Sequence, residues 1–114
     1  MSIECHEILK AVNQKDLKSW KTLYDFYYSA LCSYANSIIK DSETAKDLVQ
    51  DILIKIWDSN GHFKEVKDLT WFLYRAVYNN SLYHLRSLQV REKAFRQIAA
   101  EEQLEFDDEQ FAFT

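Results

Sequence analysis

The sequence holds a single glycine, Gly61, and no proline in 114 residues. Sheets need many tight turns, and tight turns draw on these two residues. Their near absence predicts an all-α chain: a compact bundle of about four long helices joined by short polar links. With 47% hydrophobic residues, the chain has enough apolar side chains for a single core. No apolar run approaches the length that crosses a bilayer. The N-terminal MSIECHEILKAV lacks the basic region and cleavage site of a signal peptide. A cytoplasmic protein without direct membrane insertion is therefore expected.

Cys5 and Cys32 show no metal-type spacing and read as free thiols of a reducing compartment. His6, His62 and His84 are scattered and pair with no cysteine or carboxylate in a ligand pattern, so no metal site and no cofactor is expected. No nucleophile with a nearby base and no phosphate loop is visible, which argues against an enzyme.

Apolar periodicity divides the chain into helices. The first covers Ser2 to Val12, with Ile3, Ile8, Leu9 and Val12 on its apolar side. Asn13 to Asp16 is a polar break in which Asp16 can cap the next helix. That second helix, Leu17 to Lys40, sets Trp20, Leu23, Tyr24, Tyr27, Leu31, Tyr34, Ala35 and Ile38 at helical spacing. Such a stripe reads as core with tyrosine hydroxyls at the rim, leaving Phe26 and Tyr28 as candidate partner contacts. Asp41 or Ser42 can cap a third helix that ends near Asp58, with Asn60 or Gly61 stopping it in a left-handed conformation. The stretch Asn60 to Asp68 is the one substantial loop; Phe63 and Val66 fold back on the core, Lys64 and Lys67 point elsewhere, and Asp68 caps the fourth helix. The fourth runs from Leu69 past Arg86 to about Ala100. Leu69, Phe72, Leu73, Ala76, Val77 and Asn80 lie on one side, with Leu85 and Leu88 further on; Asn80 needs a hydrogen-bond partner if buried.

Two helices carry a second face. On the third, Ala45, Leu48, Val49, Ile52, Leu53 and Ile56 form the apolar stripe, while Asp47, Gln50, Asp51, Ile54 and Asp58 gather opposite. That face is either a docking surface or an ordinary solvated one with a stray isoleucine. Asp47 and Asp51 are one turn apart, but no third ligand accompanies them, so they are not read as a metal or acid–base pair. On the fourth helix the face away from the core carries Trp71, Tyr74, Arg75, Tyr78, Asn79, Tyr83 and Arg86. Rings that stack on bases, cations that meet phosphates and an amide for a base edge are the components of single-strand recognition. A tyrosine-rich rim with ordinary surface arginines is the structural alternative.

The net charge of −4 argues against general DNA coating. Its distribution is uneven. From Trp71 to Ile98, Arg75, Arg86, Arg91, Lys93 and Arg96 face only Glu92. From Ala99 onward the charges are six acids, interspersed with Leu104, Phe106, Phe111 and Phe113. The reading is a helical domain over residues 1–100 followed by a mobile acidic linker or tail over 101–114.

The segments AKDLVQDILIKIW, from Ala45 to Trp57, and FLYRAVYNNSLYHLR, from Phe72 to Arg86, stand in an order and at a distance that resemble region 2 of the sigma-70-type initiation factors of bacterial RNA polymerase. The short extracytoplasmic-function group is the most similar. The resemblance spans about Tyr24 to Arg86 and implies a region-2-like helical fold that binds core RNA polymerase and recognises and melts the promoter −10 element. It implies that Asp47, Gln50 and Asp51 make polar contacts with the clamp helices of the polymerase β′ subunit, with Ile54 as a neighbouring apolar contact. It implies Asn79 and Tyr78 for the non-template strand of the −10 element, Arg75 and Arg86 for its backbone, and Trp71 and Tyr74 stacking at the upstream edge of the bubble. Tyr83 shares that face, and the loop with Lys64 and Lys67 helps hold a base turned out of the duplex. An anti-sigma factor covering both faces is a further partner the resemblance implies.

Three departures accompany it. Lys46 stands where the family usually has an acid. Trp71 sits one place early, with Phe72 just before Leu73. Nothing after Ala100 reads as the helix-turn-helix of region 4, so initiation by this chain alone is expected to be poor. The alternative reading is a sigma-like interaction module that binds the polymerase clamp without reading DNA; the aromatic–arginine face of the fourth helix separates the two.

Overall fold

The computed structural model describes the backbone of residues 3–112 and the side chains of residues 4–102. Four helices follow one another, and no strand occurs among the described residues: α1 (Ile3–Asn13), α2 (Leu17–Ile39), α3 (Ser42–Asp58) and α4 (Val66–Ala112). The chain divides into two compact units, Met1–Leu82 and Tyr83–Thr114.

The first unit contains the core. Leu23, Tyr27, Leu31, Ala35 and Ile39 recur every fourth residue along α2 and are all buried. The first four meet Ile8, Ala11 and Val12 of α1, the stripe Ala45, Val49, Ile52, Leu53 and Ile56 of α3, and Leu69, Leu73 and Val77 of α4. Each buried leucine or isoleucine contributes on the order of 2 kcal/mol through apolar area removed from water. Polar and aromatic contacts fix the helices against each other. The Tyr27 hydroxyl meets Thr70 Oγ1 at 2.6 Å, and burial pushes the Tyr27 phenol above its ordinary range. Thr22 Oγ1 donates to Glu7 Oε2 at 2.9 Å. Trp20 and Trp57 pack edge to face with centroids 5.0 Å apart.

The helix starts follow local chemistry. Asp16 caps α2, accepting from the Ser19 backbone N–H at 3.1 Å, and Asp41 caps α3, accepting from the N–H groups of Glu43 and Thr44. α2 ends at Lys40, which takes the left-handed conformation and donates its N–H to Asn36 O.

Several details differ from the sequence-based expectation. The stop of α3 is neither Asn60 nor Gly61: positive φ among the described residues belongs to Lys15 and Lys40. Ser59 caps α3 in an extended conformation. Its Oγ donates to Ile56 O, and Lys15 Nζ donates to Trp57 O and Ser59 O at 2.5 and 2.6 Å. With the last carbonyls bonded from outside, no left-handed turn is required. Asp68 does not cap α4 but lies in its first turn, because the helix begins at Val66 and Glu65 O already accepts from the Asp68 and Leu69 amides.

Phe72 and Asn80 lie outside the buried stripe of α4. The core contact falls every fourth residue, at Leu69, Leu73, Val77 and Ser81, and this rotates both to the exposed side. Asn80 Nδ2 then bonds back to Ala76 O at 2.7 Å. Likewise Ile39, not Ile38, is the buried end of the α2 stripe.

In the second unit the α4 backbone continues as helix to Ala112, beyond Ala100, through a stretch with no glycine or proline to break it. Leu85 is half-buried and Leu88 exposed. The mobility expected of the acidic tail falls on residues whose side chains, beyond residue 102, lie outside the description. No helix among the described residues is long and apolar enough to cross a membrane.

Candidate functional site

The apolar stripe of α3 faces the core, which turns Asp47, Gln50, Asp51, Ile54 and Asp58 outward; all five are exposed. Ile54 is 58% accessible, a large apolar side chain set among carboxylates and an amide. Asp51 pairs with Lys55 at 2.9 Å and Glu43 with Lys46 at 3.6 Å, both within the helix. Solvent-exposed pairs of this kind contribute little to stability. Asp47, Gln50, Asp51, Ile54 and Asp58 thus form an exposed, mainly polar face with one apolar side chain.

A different face is built on α4. Leu69, Leu73 and Val77 anchor the helix in the core. Trp71, at 61% accessibility, Arg75, Tyr78 and Asn79 are thereby exposed, and Tyr74 is half-buried. Trp71, Tyr74, Arg75 and Tyr78, with Tyr34 of α2, line a shallow depression of about 320 Å³. The Arg75 guanidinium carbon lies 5.0 Å from the Trp71 ring centroid. Tyr34 supports Tyr74 with ring centroids 5.1 Å apart. Aromatic walls with a cation and a flanking amide suit an unstacked nucleotide strand. Tyr34 was expected only in the core stripe; its place beside Tyr74 depends on how α2 and α4 pack and has no sequence signal.

The loop residues separate from that depression. Lys64 lines another groove, of about 460 Å³, with His6, Leu9, Lys10, Asn13, Gln14, His62 and Phe63. Lys67 lies in the first turn of α4 and bonds Glu65 at 3.1 Å, which holds its ammonium above the ordinary range. The centre of the loop is held from α1: Phe63 N–H donates to Asn13 Oδ1 at 2.9 Å, and Asn13 Nδ2 donates to Phe63 O at 2.7 Å. The Phe63 ring packs against Phe72 at 5.6 Å. A cleft of about 150 Å³ lies beside it, lined by Ile52, Lys55, Ile56, Ser59, Phe72, Ala76 and Asn80. In the sequence Asn13 and Lys15 read as a plain polar break; the ties they make are long-range and leave no local signature.

Tyr83 and Arg86 belong to the second unit, where both are exposed, Tyr83 at 73%. Among the described residues no group of three or more histidine, cysteine, aspartate or glutamate side chains is placed to hold a metal ion. Cys5 and Cys32 form no disulfide, and burial raises the Cys32 thiol above its ordinary range.

The family model described as Sigma-70 region 2 matches residues 23–91. The match takes in most of α2, all of α3, the loop and the α4 residues that form the aromatic face. No curated protein and no solved structure matches the chain.

Proposed function

The chain belongs to the sigma-70 region 2 family, and we propose that its two exposed faces divide the work of that family between them. Family membership carries a sigma-factor role in promoter recognition and RNA polymerase binding. The α3 face, through Asp47, Gln50, Asp51 and Ile54, docks on the clamp helices of the β′ subunit. The α4 face captures the non-template strand of the −10 element: Asn79 and Tyr78 read bases, Trp71 and Tyr74 stack, and Arg75 and Arg86 meet phosphates. Tyr83 extends the strand-binding set, and Lys64 and Lys67 add cations at the loop. Turning a base out of the duplex costs a few kcal/mol, which stacking and hydrogen bonding at this face offset. Binding energy alone drives the opening, with no chemical step. Work in the cytoplasm, membership of the extracytoplasmic-function group and control by an anti-sigma factor that covers both faces belong to the same proposal.

The observation that carries this reading is the depression formed by Trp71, Tyr74, Arg75, Tyr78 and Tyr34. The test is fluorescence anisotropy with labelled single strands of −10-like sequence, with and without core polymerase, at two salt concentrations. Sequence-selective binding that disappears in Asn79→Ala and Tyr78→Ala is the expected result. Polymerase association without strand binding in either setting would replace the proposal with a clamp-binding module that does not read DNA. Polymerase binding that survives Asp47→Lys combined with Asp51→Lys would remove the clamp assignment.

A further inference from the structure

We infer that Asn13, at the end of α1, is a positioning residue that sets the α3–α4 loop for base discrimination. The inference rests on the strand-reading role proposed above. Between Ser59 and Val66 the chain is non-helical, and Asn60, Gly61, His62, Lys64 and Glu65 are exposed. Phe63 is the half-buried centre of this segment. Both of its backbone polar groups are taken by one side chain, 50 positions away: the amide donates to Asn13 Oδ1 at 2.9 Å, and the carbonyl accepts from Asn13 Nδ2 at 2.7 Å.

A side-chain amide that both accepts from and donates to one residue acts as a neighbouring strand would. It fixes how far the loop stands from α1 and how the Phe63 backbone is rotated. The rotation matters because His62 and Lys64, the neighbours of Phe63, project according to it, and both line the groove shared with α1. The Phe63 ring in turn rests on Phe72, which directly follows Trp71 on α4. Asn13 thus connects a core-anchored helix to the segment that stands beside the strand-binding helix.

The same geometry separates a positioning role from a stabilising one. Asn13 and Phe63 are only half-buried. Water can replace the amide at the Phe63 backbone at little net cost. Loss of the Asn13 side chain therefore releases the loop without unfolding the bundle. Under the strand-reading role proposed above, stacking and phosphate contacts on α4 govern overall strand affinity, which should persist, whereas selectivity at the strand position nearest the loop should fall.

The test uses the full chain bound to core polymerase and a set of labelled single strands that differ at one −10 position. For Asn13→Ala the ratio of best to worst strand affinity is expected to drop about three- to tenfold, the scale of one or two neutral hydrogen bonds. The affinity for polymerase should be unchanged, and hydrogen exchange at the Phe63 amide should accelerate. Asn13→Gln, with the same amide one methylene further out, repeats the measurement if the alanine variant fails to fold. Faster exchange at Phe63 with the discrimination ratio kept within about twofold of the parent would overturn the positioning role. Unchanged exchange at Phe63 would overturn the tether itself. A parent complex that binds the strands without discrimination would defeat the strand-reading proposal and this inference together, a result distinct from either of the others.

Discussion

The guanidinium of Arg75 lies over the indole of Trp71, its central carbon 5.0 Å from the ring centroid and one helical turn further along α4. The stacking restrains a long cation before any ligand arrives, so less side-chain freedom is lost when it meets a phosphate. Trp71 stays 61% accessible with the guanidinium over its ring. Trp71→Ala is expected to weaken single-strand binding by about 1–3 kcal/mol. Arg75→Ala should lower the salt dependence by about one phosphate contact. A double-mutant cycle should show coupling of about 0.5–1 kcal/mol, because each residue positions the other. Anisotropy titrations at several salt concentrations measure all three. Strictly additive losses with an unchanged salt slope would mean that the pair is surface decoration.

Ile54 tests the α3 face without touching the fold. It is 58% accessible and absent from the buried core. Ile54→Ala is therefore expected to leave unfolding free energy within about 0.5 kcal/mol of the parent. If Ile54 is buried at the polymerase clamp, the same change should weaken polymerase binding by about 1–2 kcal/mol through lost apolar contact. Chemical denaturation and a polymerase-binding titration on one variant separate the two effects. An unchanged polymerase affinity would exclude Ile54 from the interface.

The Asp16 carboxyl is held below the ordinary carboxylate range, chiefly by its side-chain hydrogen bond with Ser19. A folded-state pKa below the unfolded one favours the fold above the unfolded value. That contribution fades as pH falls through the lower, folded value. Thermal stability should therefore drop on acidification below pH about 4. Asp16→Asn, which keeps a capping acceptor but no charge, should flatten this part of the profile. Melting curves from neutral pH into the acid range decide it; identical acid slopes in parent and variant would show that other carboxylates set the loss.

The four helices and the starts of α2 and α3 were legible because the information is local: a 3.6-residue apolar period, and Asp16 and Asp41 placed where a helix needs an acceptor. The start of α4 was not, because the helix begins at Val66, ahead of the expected cap Asp68. The outward faces of α3 and α4 follow from the same periodicity, and the order of residues on them carried the resemblance to the family that matches residues 23–91. The stop of α3 was not legible, because its carbonyls are satisfied by Lys15, 42 positions from Trp57. The loop anchor at Asn13 was hidden for the same reason. Asn80 was misplaced by one residue because a stripe spaced by threes and fours does not say which step the core takes, and packing chose Ser81.

Lys15 combines a cost and a gain at one position. Its φ of 52° is left-handed, a conformation that costs a non-glycine residue about 1 kcal/mol. Its ammonium bonds Trp57 O and Ser59 O at the negative end of α3. Lys15→Met keeps the strained backbone and loses the bonds, so it is expected to destabilise by about 1–2 kcal/mol. Lys15→Gly loses the same bonds but relieves the strain, and should be less damaging by about 1 kcal/mol. Equilibrium unfolding of the two variants gives the ordering. A methionine variant as stable as the parent would show that α3 ends without help from Lys15.

Ser81 sits at the end of the buried α4 stripe, fully inaccessible, and its Oγ finds no hydrogen-bond partner among the described residues. A buried hydroxyl without a partner costs about 1–3 kcal/mol relative to one that is bonded. Ser81→Ala removes the hydroxyl, leaves only a small space and raises helix propensity. The two effects favour the variant, and the lost packing of one oxygen opposes it, so a net gain of about 0.5–1.5 kcal/mol is expected. Ser81→Val should do worse than alanine, since a β-branched side chain must be fitted into a packed site. Denaturant unfolding of both variants measures the order. A serine more stable than alanine would show that the hydroxyl is satisfied in solution, and the buried position would then be a polar contact of the bundle in place of a gap in its core.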